Sequence, residues 1–338
     1  MMKIKIITIV ILISALFISF SDVDEQVDNI LKKVSSSYEK FSFIKKQTET
    51  YYRDGEIVSE FTYERYNDHK NANLLKIGTK KGEDRTRKSL RTKNYVISQR
   101  EEKFIKMERP HFTGSAFLNK ELLELMKENY MFKACKGTDI IGRKTNKLTI
   151  KSDVNYKPWT KIWVDVETGL ILQKEAYDSS NELVYSYTVD FLELNPVFDK
   201  DIFYIPENKI EESSRKRVYF NTIEDLKKKS NKHVASLTGI LKEFKPMTIR
   251  TFSRQGQEII HIWYTDGYST ISIFQRKANE KDKQIDLQVD TRITATSLRK
   301  VQNGCRFTMI GDLSEAVLVK AFNNMLNQFE RESNQGLE

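Results

Sequence analysis

Cysteine is almost missing from this chain of 338 residues, which carries only Cys135 and Cys305. The two fall in different predicted domains, so they either pair across a close interdomain contact or remain two separate buried thiols. Histidine is scarce too. His69, His111, His233 and His261 share no metal-ligand spacing with one another or with the cysteines, which argues against a metal centre. No Gly-x-Ser-x-Gly elbow occurs, and Gly114-Ser115 does not supply one. No glycine-rich loop is available to cradle a phosphate, and no cofactor is implied. Asp165 and Glu167 sit at a predicted hairpin turn, where acidic residues are ordinary, and His261 lies inside a predicted strand as a hydrogen-bonded residue. An enzyme is therefore disfavoured, with no catalytic residue and no metal ligand to name. Internal repeats and low-complexity tracts are absent as well.

What is present begins with an export signature. Lys3 and Lys5 precede an uncharged, almost wholly apolar run from Ile6 to Phe20, and Ser19-Phe20-Ser21 suits cleavage after Ser21. The run is shorter than the roughly 20 apolar residues of a spanning helix. A retained anchor is the alternative to a cleaved signal peptide (1–21). No later segment is apolar enough to span a bilayer, so an exported, periplasmic protein is expected. The formal charge of +9 points to an acidic partner or a phosphate-bearing surface. It does not point to nucleic acid, because no compact basic helix with spaced aromatics accompanies it.

The length suits two domains, and 11% aromatic residues with β-branched runs favour sheet. Val23, Val27, Ile30, Leu31 and Val34 share one face of an opening helix that lies on a sheet. Phe41 to Met107 alternates as strands, with a turn at Arg53-Asp54-Gly55-Glu56. The stretch Thr79 to Lys93 carries Lys80, Lys81, Arg85, Arg87, Lys88 and Arg91; it reads as a solvated loop or as a basic patch for acidic groups. A helix over Asn119–Tyr130 and a four-strand meander from Lys147 to Phe191 follow, with Gly169 free to take positive φ at the first turn. Residues 207–216 are strongly charged and read as a linker.

A second domain opens near Arg217. Strands are expected over His233–Phe244, Met247–Phe252, Ile285–Val289, Asp290–Ser297 and Phe307–Ile310. Between the second and third of these, Ile260 to Phe274 reads as a hairpin around Asp266-Gly267, where a type I′ turn requires positive φ at both residues. Asp312 and Glu315 have capping-box spacing ahead of a last helix, whose stripe of Leu318, Phe322, Met325, Leu326 and Phe329 is core.

Several of these pieces, in order, resemble the MucB/RseB family. Lys161-Ile-Trp-Val-Asp-Val-Glu-Thr-Gly-Leu-Ile-Leu-Gln-Lys174 is similar to that family's strand, Asp-x-x-Thr-Gly-Leu, strand hairpin, and Asp178–Val184 fits the turn after it. Asp201-Ile-Phe-Tyr-Ile-Pro206 resembles the ending of lipoprotein-carrier-like domains, and Phe307–Ser314 the family's last strand running into its terminal helix. The basic 79–93 stretch departs from the family pattern. The resemblance implies an α+β fold. An antiparallel, LolA/LolB-like half-barrel with helices plugging its concave face (22–206) precedes a smaller C-terminal α/β domain (217–332). It implies binding to the periplasmic region of a membrane anti-sigma factor, with modulation of that factor's proteolysis and release by a lipid-like or lipopolysaccharide ligand. A LolA-type lipoprotein or lipid carrier is the alternative, and a homo-oligomer stays open. Phe41, Phe43, Phe61, Tyr63, Leu75, Ile77, Tyr95 and Ile97 are candidates for a lipid-binding concavity, and equally for plain core.

Overall fold

A computed structural model describes residues 25–83, 85–108, 120–199, 201–213, 217–230, 232–282 and 286–335. The expected signal segment 1–21 lies outside them, as do Val23, His111 and Ile285. Among the described residues no helix is long and apolar enough to cross a membrane.

The first half begins with α1 (residues 25–40). Six strands follow: β1 (Phe43–Arg53), β2 (Glu56–Asp68), β3 (Asn73–Lys80), β4 (Thr86–Arg91), β5 (Tyr95–Arg100) and β6 (Lys103–Glu108). Then come α2 (Lys120–Asn129), β7 (Met131–Lys136), β8 (Thr145–Lys151), β9 (Trp159–Asp165), β10 (Ile171–Tyr177), β11 (Leu183–Leu194) and β12 (Ile210–Glu212). They form one 12-stranded sheet in the order β12-β6-β5-β4-β3-β2-β1-β11-β10-β9-β8-β7. Its two end strands do not pair, so the curved sheet is an unclosed trough. All ladders are antiparallel except β12 on β6. The predicted linker thus differs from expectation: Ile210–Glu212 completes the first sheet, with Glu212 paired to Lys106 at 2.8 Å.

Each face has its own reason. Directly opposed residues share a face. On the trough's inner face, Leu148, Ile150 and Ile162 are buried under Val27, Ile30, Leu31 and Val34 of α1 and Leu123 and Met126 of α2. Gly169, with φ +74°, lets the β9–β10 turn touch α1: a Cβ there would lie 2.6 Å from the Lys33 carbonyl. On the outer face, Leu75, Leu90, Ile97 and Phe104 are covered by Ile205 together with Ile202, Phe203 and Ile210.

The second half is a separate antiparallel sheet. Its strands are β13 (Arg217–Phe220), β14 (Lys245–Arg254), β15 (Gln257–Thr265), β16 (Thr270–Lys277), β17 (Gln288–Thr291), β18 (Thr296–Gln302) and β19 (Cys305–Gly311). The order is β13-β14-β15-β16-β19-β18-β17. Helices α3 (Ile223–Ser230) and α4 (Glu315–Gln335) cover one face. The α4 stripe is core as read: Leu318, Phe322, Met325, Leu326 and Phe329 are at most 5% exposed.

Four local expectations are corrected. Residues 233–244 form turns rather than strand. Side chains satisfy their backbone instead of a ladder: Gln275 Oε1 accepts from Ala235 N at 2.9 Å, its Nε2 donates to the His233 carbonyl at 2.8 Å, and Tyr264 Oη accepts from Leu237 N at 3.2 Å. Asp312 does not cap α4; its Oδ1 accepts from Thr270 N at 3.0 Å, and Ser314 occupies the position before the helix. Cys135 is exposed on β7 rather than buried, and it and Cys305 are both free thiols. The 266–267 turn is not type I′, because Asp266 is absent from the positive-φ residues while Gly267 has φ +102°. Strand pairing closes at Thr265 and Thr270, leaving a four-residue loop.

Candidate functional site

That four-residue loop joins the two halves. Asp266 Oδ1 accepts from the backbone N–H of Tyr268 at 3.1 Å and of Ser269 at 2.8 Å, which fixes the tip as an Asx-type turn. The tip inserts against α2. Asp266 is fully buried, and its Oδ2 lies 2.7 Å from Nζ of Lys157, itself 3% exposed. Tyr130 donates to the same carboxylate at 3.0 Å, and Asn129 Nδ2 donates to the Asp266 carbonyl at 3.1 Å. Burial, with the Asp266 charge beside it, pushes the Tyr130 phenol far up, so it stays a neutral donor. Gly267 touches α2 so closely that a Cβ would lie 2.2 Å from the Met126 nitrogen. Tyr268 packs on the α1–α2 core, edge-on to Tyr130 at 5.6 Å, with Lys174 Nζ 5.6 Å from its ring centroid.

Beside this clasp, Lys174, Tyr185, Tyr268, Ile293 and Asp312 line part of an interdomain cleft of about 470 Å³. Burial, and then the Asp266 charge, push the half-buried Asp312 up to about 7 from 3.8. The folded state holds this proton more tightly than the unfolded chain does. Its contribution is therefore full below pH 3.8 and is lost as pH rises toward about 7. Asp312→Asn keeps an acceptor for Thr270 and removes the loss. Denaturant titration should find the variant more stable than the wild type at pH 8 by about 1–2 kcal/mol, after discounting for partial exposure, and equal to it at pH 4. Equal stabilities at both pH values would refute this.

The trough's inner wall over β1–β4 is the second element. From the β1 register, Phe43, Lys45, Gln47, Glu49 and Tyr51 face inward opposite Asn67, Arg65, Tyr63, Phe61 and Ser59 of β2. Tyr63 and Arg65 stand opposite Gly78 and Lys76 of β3, and these stand opposite Arg87 and Ser89 of β4. Gly78 is needed here because a Cβ would lie 2.2 Å from the Tyr63 ring. The wall is cationic and aromatic rather than greasy. Lys45 and Glu49 are 2% and 4% exposed. Glu49 Oε1 lies 3.2 Å from Arg65 Nη2 and 3.7 Å from Lys76 Nζ, and it accepts from Gln47 Nε2 at 2.7 Å. Lys76 Nζ sits 3.4 Å over the Tyr63 ring centroid. Burial pulls Lys45 and Lys174 down, and together with the Arg65 charge it brings Lys76 to about 8.

The eight concavity candidates therefore do not share one surface. Phe43, Phe61 and Tyr63 face inward, and Phe41 packs beside Phe43 in the cluster around Leu170, Leu172 and Val189. Leu75, Ile77, Tyr95 and Ile97 belong to the opposite face, in the core beneath Ile202–Ile205. The basic stretch is not a solvated loop throughout: only its turns are, and the end of β3 and β4 carry the rest. Lys80, Arg87 and Arg91 fall on the inner face by register, whereas Lys81 and Arg85 lie in the turn. Lys88 faces outward, with its Nζ 3.5 Å from the Tyr204 carbonyl. Sequence reasoning missed Lys45, Glu49, Arg65, Lys76, Lys157 and Lys174. The inward alternation of Lys45, Gln47 and Glu49 looks solvent-facing until a neighbouring wall covers it. His261 is held as a hydrogen-bonded strand residue, accepting from Arg250 Nε at 3.0 Å and stacked on Phe274 at 4.3 Å.

Comparison with known proteins adds the relationship. A family model described as the MucB/RseB N-terminal domain matches residues 32–213. Among solved structures, the MucA/MucB complex of Pseudomonas aeruginosa superposes with a TM-score of 0.60 at 11% identity, covering 87% of this chain and 95% of that one. A structure of MucB in complex with MucA(peri) gives 0.56 at 11% identity, covering 86% and 94%. One of MucB alone gives 0.54 at 12% identity, covering 88% and 96%. At these identities the likeness is one of fold, and it runs through both sheets. No curated protein matches the sequence. With its N-terminal domain matched over more than half the chain and its two-sheet architecture shared with MucB, this protein belongs to the MucB/RseB family.

Proposed function

We propose that this protein is an exported binding regulator that holds the periplasmic part of a membrane anti-sigma factor and slows that factor's first proteolytic cut. The observation carrying the reading is the fold likeness to the MucA/MucB complex, which extends over 87% of this chain and so includes both the trough and the second sheet. MucA is MucB's partner in those complexes; a corresponding acidic segment is the partner proposed here. The working units are the first sheet with its helices, which runs on through Glu212, and 217–332, after removal of 1–21. A lipid-like ligand in the trough disfavours the docked arrangement, and by linkage its binding weakens the partner's hold. The clasp at Asp266 supports this, because it couples the trough's filled end directly to the second domain.

The test is capture from the envelope proteome with the purified protein, followed by titration of the captured periplasmic segment and a protease assay on it. Capture of one single-pass anti-sigma factor, with its cleavage slowed at stoichiometric protein, is expected. Bulk capture of acylated lipoproteins, with no such factor, would sink this reading in favour of a carrier.

A further inference from the structure

We propose that the free edge of the first sheet, strand β7, takes up an extended peptide as an added strand, one in which apolar and acidic residues alternate. This deepens the proposed function by naming where the partner's segment sits, and it rests on that reading for the partner's identity.

The first observation is the edge itself. Four strands end the two sheets. Of these, β12 has three residues, β13 and β17 have four each, and β7 has six. Among the described residues β7 pairs with β8 alone. Gly137 N donates to the Thr145 carbonyl at 2.9 Å, which fixes the phase of that ladder. Bonded and non-bonded pairs alternate along an antiparallel ladder, so Phe132, Ala134 and Lys136 turn their N–H and C=O groups away from β8. These outward groups are the template for another strand.

The second is the chemistry of the two faces. Phe132 and Ala134 lie on the inner face, half-buried against the α1–α2 core. Near Lys136, residues Glu25, Asn29 and Ile30 of α1 and Asn146 of β8 line a groove of about 380 Å³. Inward side chains of an added strand extend the core, and the groove leaves room for them. On the outer face Lys133 is exposed, with Lys147 and Lys151 beside it on β8. Lys151 stands opposite Met131, which is 61% exposed. Its Nζ lies 3.3 Å from Asn181 Oδ1 and 5.1 Å from the Trp159 ring centroid. The carboxylates of this region are engaged by other cations: Asp165 and Glu167 by Arg143, and Glu175 by Lys161. An acidic residue placed outward on an added strand stands directly beside Lys133.

The same lysines choose between occupants. A second copy paired on β7 would set the lysines of one edge against those of the other, whereas alternating acidic residues meet them with opposite charge. The formal charge of +9 carries that preference over the whole chain. A segment held as a strand in this sheet is not free to lie extended in a protease cleft, which accounts for a slowed cut.

Fluorescence anisotropy with labelled, capped peptides of about eight residues tests the edge. A peptide alternating valine and glutamate should bind the full chain. The same composition in Val-Val-Glu-Glu order, and a peptide alternating valine and lysine, should not. Ala134→Pro removes an N–H that β8 does not use, so the variant should fold and lose at least about tenfold in affinity. Lys133→Gln combined with Lys147→Gln leaves the backbone intact and should weaken binding about tenfold, which keeps the test open should Ala134→Pro fail to fold. In a Cys305→Ser background, a peptide cysteine activated as a mixed disulfide should trap Cys135 from outward positions and not from inward ones, because Cys135 is exposed on the outer face. Equal binding of the alternating and block peptides, or unchanged binding by folded Ala134→Pro, would overturn the proposal. So would a wild-type dimer that dissociates in Ala134→Pro, since it would give the edge to a second copy. Anti-sigma-factor capture that survives Ala134→Pro would remove the partner from β7 and leave the regulatory reading standing. Failed capture by the wild type would sink that reading, with peptide binding still deciding the edge.

Discussion

Gly267→Val should uncouple the two halves of the molecule. A β-branched residue is strained at φ +102°, which alone costs about 1–3 kcal/mol. The larger effect is steric: the new Cβ falls 2.2 Å from the Met126 nitrogen and 2.4 Å from its Cα, inside the backbone of α2. A helix backbone buried on one side by the α1 core cannot retreat, so the loop must undock. Undocking exposes Asp266 and Lys157 and withdraws Tyr268 from the first core. Scanning calorimetry should replace the wild-type transition with two, the first-sheet domain melting separately from the second, and small-angle scattering should show a larger radius of gyration. Gly256→Val provides the control. It also has positive φ, +74°, but nothing lies within 4 Å of its Cβ, so its cost should stay local at about 1–3 kcal/mol, with docking intact. A single wild-type-like transition for Gly267→Val would show that the loop does not bind the domains together.

The next largest effect should come from Asp266 and Lys157. Removing one member of a buried ion pair costs about 3–5 kcal/mol, because the survivor is left charged without a partner. Asp266→Ala should be the worst single change. It strands Lys157, which is 3% exposed and among the described residues has Glu243 at 3.7 Å as its other carboxylate, and it also deletes the acceptor for Tyr130, Tyr268 N and Ser269 N. Asp266→Asn keeps the turn acceptor and loses only the charge, so it should fall between Asp266→Ala and the wild type. Combining Asp266→Asn with Lys157→Met should recover at least about 1.5 kcal/mol relative to the sum of the single changes, since the contact is direct. Chemical denaturation of the four proteins measures this, and strict additivity would contradict the pairing. If the clasp transmits ligand occupancy, these variants should also weaken partner binding.

Much of the architecture could be read from local pattern. Helical spacing of Val27, Ile30, Leu31 and Val34, and of Leu318, Phe322, Met325 and Phe329, marks helices with one apolar face, because a period near 3.6 leaves little other way to bury them. The meander from Thr145 to Leu194 follows from alternation broken by Asp-x-x-Thr-Gly and Asp-Ser-Ser-Asn turns. The segment 233–244 was not legible as a loop. It is as apolar as a strand, and side chains distant in sequence, Gln275, 40 residues from Ala235, and Tyr264, supply hydrogen bonds that excuse it from a sheet.

The sequence by itself determined most element types, the division into two halves and the positions of the main turns, since each depends on neighbours a few residues apart. Which strand face turns inward was decided only by the tertiary structure. Leu75 and Ile97 alternate just as Phe61 and Tyr63 do, yet the segment through Ile205 claims the first pair for an outer core and leaves the second pair to the trough. Tertiary structure likewise turned a basic stretch into one side of a cationic wall, and an Asp-Gly turn into an interdomain clasp. Charge alternation along a strand does not say what stands opposite, and a tight turn does not say what it touches. Both depend on groups distant in sequence that are brought within a few ångströms only when the two sheets are folded against each other.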